Sequence, residues 1–177
     1  MYNNTLQIIY NEYNDLRNNP IASIGTSICM PDPNNPYEWR CTMIGPTDTS
    51  FAGGLFYLKI LFPPNYPQTG PDIRFITPIY HVNVNHIKQP NCPLGHICLS
   101  TLNFWRPDYT IREALTNIFA LFYMGNADSP YGVNRQIEMK NNPALFEKKV
   151  KYFTNKYANI NLGYKEYDYW DFSYPNK

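Results

Sequence analysis

Two stretches with a period of two constrain this chain more than any other feature. In "YEWRCTMI", Tyr37, Trp39, Cys41 and Met43 alternate with Glu38, Arg40 and Thr42. In "LFYLKILF", Phe56, Leu58, Ile60 and Phe62 share one side, and Lys59 interrupts the apolar character of the other. Such alternation predicts half-buried strands with one face on a core and one toward water. The turn-rich "GPTDTSFAGG" joins them, "DIRFIT" from Asp72 repeats the pattern more weakly, and "IASIGTSICM" reads as a preceding strand. About four strands with short connections suit an antiparallel meander with helices segregated to one side, an α+β fold.

The flanking segments carry the helical period instead. Leu6, Ile9, Tyr10, Tyr13 and Leu16 make an apolar stripe that ends before Pro20. Thr110 and Glu113 have capping-box spacing, with Ala114, Leu115, Ile118, Leu121 and Phe122 as the buried stripe behind them. Asn142 and Pro143 read as the cap and first position of a last helix, with Phe146, Val150, Phe153 and Tyr157 on one face. A length of 177 residues fits one domain. We place it at residues 1–162, followed by an aromatic extension, 163–177 ("GYKEYDYWDFSYPNK"), expected to pack on the domain or on a partner.

Charge and cysteine usage narrow the function classes. With 15 basic and 14 acidic residues, the totals give no electrostatic reason to expect nucleic acid or an anionic membrane as partner. The nearly apolar run "IFALFYM" is far short of the ~20 residues that cross a bilayer, and the N-terminus lacks a basic signal-peptide region. Four cysteines, at 29, 41, 92 and 98, are too few and too unevenly spaced for a secreted scaffold. The expectation is a soluble protein of the cytoplasm and/or nucleus with reduced thiols.

From Pro78 to Asp108 neither period survives, although Pro, Asn, His and Gly are frequent. A long irregular stretch inside a compact domain is usually functional or disordered. Ile97, Leu99, Leu102 and Trp105 are the buried anchors that favour order here. Cys98 lies in it and has two readings, a small core hydrophobe or a thiol at the mouth of a groove. His81, His86, Cys92, His96 and Cys98 crowd five metal-ligand types together, yet no C-x-x-C or H-x-x-x-H pair is present and no common zinc spacing is matched. A papain-like hydrolase needs a base beside the thiol, and no local signature marks one.

Four motifs in a fixed order carry a resemblance: G-P-x-D-x-x-aromatic-x-G-G at 45–54, F-P-x-x-Y-P at 62–67, Y-H-x-N at 80–83, and G-x-I-C-L-S with W-x-P at 95–107. Over about residues 5–158 the chain resembles the ubiquitin-conjugating enzymes. The resemblance implies an N-terminal helix, a four-stranded antiparallel meander, a long active-site segment and C-terminal helices. It makes Cys98 the thiol that accepts ubiquitin, or a ubiquitin-like modifier, as a thioester from an activating enzyme. The acyl group then passes to a substrate lysine or a ligase cysteine. It implies no cofactor, since ATP is used by the activating enzyme, and a monomer. An inactive binding module of the same fold is the rival reading, against which Cys98 argues.

The same resemblance assigns further residues. Asn83 occupies the position of an amide aimed at the oxyanion of lysine attack, or of a brace for the active-site loop. His81 becomes a hydrogen-bonded structural residue. Ligase docking falls at Phe62 and Pro64 and at Arg106 to Asp108, including Pro107, with an exposed Phe62 as one anchor and a buried strand end as its alternative. This chain departs from the family in several places. Val82 replaces a proline, Val84 to Leu94 is longer than the usual turn, and Ser100 and Ser129 stand near the thiol where acidic residues are common. Asp128 is the remaining carboxylate candidate. The first helix, "TLQIIYNEYNDLR", carries Arg17 as its only positive charge beside Glu12 and Asp15, so slow capture by an acidic activating-enzyme surface is expected.

Overall fold

The computed structural model describes residues 2–125 and 130–175. Helix α1 (Tyr2–Asn18) leads into strands β1 (Ser27–Cys29), β2 (Glu38–Ile44), β3 (Leu55–Leu61) and β4 (Asp72–Phe75). A long irregular segment follows, broken by the one-turn helix α2 (Ser100–Asn103), and then α3 (Ile111–Ala120), α4 (Val133–Asn141) and α5 (Pro143–Tyr157). The strands form one sheet in the order β1-β2-β3-β4, each pair antiparallel, which is the expected meander. Register follows the alternation: Trp39 lies opposite Ile60, Cys41 opposite Leu58 and Met43 opposite Phe56. All six are buried to within 1% of full occlusion, so one face of the sheet is the core.

The helix signals act where they were read. Thr110 accepts from the Glu113 amide, and the Glu113 carboxylate accepts from the Thr110 amide in return. Asn142 caps α5 through the Leu145 amide, with Pro143 at the first position. Leu121 and Phe122 are buried, but they lie in the turns just past α3.

Three expectations need correction. Of "IASIGTSICM" only Ser27–Cys29 is a strand, because Ala22–Ile24 closes a 3-10 turn that ends on left-handed Gly25. Tyr10 is 39% exposed and leaves the α1 stripe; Thr5 is buried there instead, its hydroxyl donating to the Tyr66 carbonyl at 2.8 Å. Glu12 is no surface charge: its carboxylate accepts from the Tyr66 hydroxyl and, at 2.6 Å, from the Ile111 amide at the start of α3. Burial pushes its pKa up. Asp15 is paired with Arg112 at 2.7 Å. Of the two acids only Asp15 stays on the outer surface of α1, and it is paired; Gln7 and Asn11 are exposed amides there.

The aromatic tail packs on the domain, as expected. Tyr164 lies under the Arg40 guanidinium at 4.0 Å on the outer face of the sheet, and Glu166 pairs with Lys59 at 2.9 Å. Beyond them Trp170 is buried, and Phe172 meets Phe153 at 4.8 Å on α5. Among the described residues no helix is long and apolar enough to cross a membrane.

Candidate active site

The segment that carries Cys98 is pinned by its neighbours before any side chain acts. Gly95 has φ +79°, and a Cβ there would sit 1.8 Å from the Phe75 carbonyl oxygen, so the chain can press against β4 only as glycine. The Gly95 carbonyl accepts from the Phe75 amide at 3.0 Å, and its amide donates to the Asn85 carbonyl at 2.8 Å. From there the backbone runs antiparallel to residues 83–85. The Asn85 amide donates to the His96 carbonyl and the Cys98 amide to the Asn83 carbonyl, both at 2.8 Å. Ile97, bridged to Val84, is fully buried. In extended backbone its neighbours project to the opposite side, and His96 and Cys98 are accordingly part-exposed.

Cys98 is thus a part-exposed thiol at the edge of α2, with the Asn103 side-chain amide 3.7 Å from its sulfur. The other cysteines differ. Cys41 is buried in the sheet, where burial pushes its pKa up to about 12, Cys29 sits on β1, and Cys92 lies in the inserted segment. Ser100 opens α2 and is exposed. Asp128 and Ser129 lie outside the described residues.

Asn83 and His81 act as a pair. Asn83 is fully buried, and its backbone N–H donates to His81 Nδ1 at 3.0 Å. With Nδ1 accepting, Nε2 carries the proton and donates to the Leu121 carbonyl at 2.9 Å. Burial holds the His81 pKa down at about 4, so the ring is neutral and both its nitrogens are engaged. It braces the loop rather than serving as a base.

The inserted stretch Val84 to Leu94 is organised by a residue that the sequence reading passed over. Asn85 is 2% exposed; its side-chain nitrogen lies 2.8–3.0 Å from the carbonyls of Ile87, Cys92 and Pro93, which share its two hydrogens, and its oxygen accepts from the Ile87 amide. Gln89 and Cys92 exchange backbone bonds and close the tip. Tyr131 joins this insertion to the thiol segment: its hydroxyl is hydrogen-bonded to His96 Nδ1 and lies 3.6 Å from Cys92 Sγ. Burial raises the Tyr131 pKa. Among the described residues no three His, Cys, Asp or Glu side chains converge to hold a metal ion. The Asn-x-Asn spacing after His81 was the signal available for Asn85; nothing local marks Tyr131.

The anticipated docking residues are divided. Phe62 is 6% exposed, with its ring 4.6 Å from Trp39 and 4.9 Å from Tyr66, so it closes the buried face of β3 and is not an exposed anchor. Pro64 and Pro107 are exposed, Arg106 pairs with Asp108, and Phe104, which the sequence reading did not single out, is 77% exposed.

A part-exposed cysteine on a braced irregular segment beside an antiparallel meander is compatible with more than one class of α+β protein. Comparison with known proteins specifies which. The family model described as ubiquitin-conjugating enzyme matches residues 8–154. Ubiquitin-conjugating enzyme E2 N of Drosophila melanogaster is 35% identical over 151 residues, spanning 85% of this chain and 93% of the relative. Ubiquitin-conjugating enzyme E2 14 of Schizosaccharomyces pombe is 32% identical, over 83% of this chain and 90% of its own. A crystal structure from Plasmodium yoelii, assigned to the ubiquitin conjugating enzymes, superposes with a TM-score of 0.76 at 33% identity, over 88% of this chain and 96% of that one. The chain belongs to the ubiquitin-conjugating enzymes, transferases that act through a cysteine thioester and work with ubiquitin, an activating enzyme and a ligase.

Proposed function

We propose that Cys98 accepts the C-terminal acyl group of ubiquitin, or of a close ubiquitin-like modifier, and passes it to a substrate lysine or a ligase cysteine. The observation that carries this is the part-exposed Cys98 thiol on a backbone bonded directly to Asn83. In charging, the Cys98 thiolate attacks the activating enzyme's thioester carbonyl. One carbon–sulfur bond forms, the other breaks, and the activating enzyme leaves as its own thiolate. The exchange is nearly balanced in energy, and sulfur is an intrinsically strong nucleophile, so no dedicated base is required. ATP is spent by the activating enzyme, and this chain needs no cofactor.

Lysine transfer is harder. An amine of pKa ~10.4 must lose a proton and attack, and negative charge collects on the carbonyl oxygen before the Cys98 thiolate departs. The Asn83 side-chain amide, buried in the free protein, turns toward that oxygen and stabilises it; one such donor is worth about 10²–10³ in rate. Asp128 receives the incoming amine. With hydroxyls at Ser100 and Ser129 instead of acids, transfer without a ligase is slow. The ligase docks across Pro64, Pro107 and exposed Phe104, beside a groove of about 560 Å³ between the start of α1 and residues 64–68. The protein works as a monomer in the cytoplasm or nucleus.

Incubation with activating enzyme, ATP and ubiquitin tests this reading. The expected product is a single-ubiquitin adduct cleaved by reducing agent, replaced by a thiol-resistant oxyester in Cys98→Ser and absent in Cys98→Ala. Asn83→Ala should charge nearly normally and discharge to free lysine about 10²-fold more slowly. Full charging of Cys98→Ala, or equal loss in Cys92→Ala, would overturn the assignment.

A further inference from the structure

One buried cation has no part in the chemistry above. Arg135 of α4 is 4% exposed, and its guanidinium lies between two rings, 4.3 Å from the Tyr80 centroid and 4.6 Å from that of Phe172 in the tail. Nη1 donates to the His81 carbonyl at 3.1 Å, while Nη2 is buried with no hydrogen-bond partner among the described residues. Glu138, the acid of the same helix, is already engaged by the Tyr80 hydroxyl at 2.7 Å and by Lys149. Burial lowers the Arg135 pKa only to about 10, so the group stays charged at neutral pH.

A buried charge with an orphaned donor is costly to keep, and the two aromatic faces are what offset the cost. That expense is unexplained by packing, since an apolar side chain of similar volume would fill the site more cheaply. What an apolar side chain cannot supply is a donor to a backbone carbonyl, and a guanidinium supplies one while stacking between two rings. The carbonyl gripped is that of His81, whose ring accepts from the Asn83 backbone N–H, and the Asn83 carbonyl in turn accepts from the Cys98 N–H. Phe172, one wall of the cage, belongs to a tail beyond the family-matched residues 8–154 and is held on α5 by Phe153 at 4.8 Å.

We propose that Arg135 and Phe172 are positioning residues for acyl transfer: the tail closes the cage around Arg135, and Arg135 fixes the segment that carries Asn83 and Cys98. The inference rests on the reading of Cys98 as acceptor thiol. Charging needs only an accessible thiol and should tolerate a looser segment. Lysine attack needs the thioester oxygen and its donor in register, where a misplacement of about 1 Å costs on the order of 10²-fold.

The test uses the full chain with three substitutions. Arg135→Met keeps the apolar stem and removes the grip, Phe172→Leu removes one ring, and Phe172→Tyr retains it. Charging within about twofold of wild type, with discharge to free lysine slower by about tenfold or more in Arg135→Met and Phe172→Leu and restored in Phe172→Tyr, is the expected pattern. Amide exchange should quicken at Asn83 and Cys98 in the first two variants and stay unchanged across β2 and β3. Exchange is read without activity, so it decides the positioning role even in a protein that never charges, where the functional reading alone would have failed. Unchanged exchange at Asn83 and Cys98, or a uniform rise in exchange with charging and discharge falling together, would overturn the proposal.

Discussion

Strands β2 and β3 and the segment from Thr77 to Asn85 are both buried, and the forces that bury them differ. The strands pair over seven residues each and turn Trp39, Cys41, Met43, Phe56, Leu58 and Ile60 into one apolar layer. Within residues 77–85, Thr77, His81, Asn83 and Asn85 are buried polar groups, and each has a specific partner. Thr77 takes the Tyr57 amide at 2.9 Å, His81 joins Leu121 to Asn83, and Asn85 gathers the carbonyls of the insertion. An apolar layer depends on filled volume and tolerates swaps that conserve it. A polar brace depends on satisfied bonds, and losing one partner leaves a desolvation cost behind. The first kind of burial holds the fold, and the second sets the geometry of the thiol.

The largest effect is expected from a cut in the apolar layer. Phe56→Ala removes a fully buried ring from the layer and should cost about 3–5 kcal/mol of stability, read as a lowered urea midpoint. Thioester formation per folded molecule should survive at temperatures where the variant is folded. A loss below about 1 kcal/mol would show that the sheet does not dominate stability as argued.

A second measurement sharpens the contrast through pH. The folded His81 pKa is depressed to about 4 against about 6.5 in the unfolded chain, so the folded state refuses a proton that the unfolded state accepts. The contribution is fully present above pH 6.5 and is lost as pH falls toward 4. By pH 5 the loss should be about 2 kcal/mol, before most carboxylates titrate. Burial and the Arg135 charge shift His86 the same way. Urea midpoints that stay flat between pH 7 and 5, or an imidazole resonance of His81 that titrates near 6.5, would remove the neutral brace from the argument.

The smallest expected effect lies away from both regions. Because Glu12 is turned inward and Asp15 is paired, the outer face of α1 is short of positive charge rather than rich in negative charge. Gln7 and Asn11 are exposed one turn apart and hydrogen-bonded to each other at 2.9 Å. Replacing both by Lys should speed charging about threefold at low salt and lose that gain as salt screens it. No gain would move recognition by the activating enzyme to another surface, with the tail the next candidate.

The meander, the two caps at Thr110 and Asn142 and the place of Cys98 were legible in the sequence, because each depends on residues within a few positions of one another. A period of two, a capping box, or a glycine before I-C-L-S is local information that survives in a linear string. The inward turn of Glu12, the burial of Phe62, the hub at Asn85 and the cage around Arg135 were not legible. Glu12 meets a tyrosine 54 positions away and an amide 99 away, and Arg135 meets a carbonyl 54 positions back. Whether a polar side chain faces water or a partner depends on what the rest of the chain brings to it, and burial reverses its preference only once that partner is present. Local pattern in the sequence determined the architecture and the irregular segment that carries Cys98; the tertiary structure decided which polar residues became braces around it.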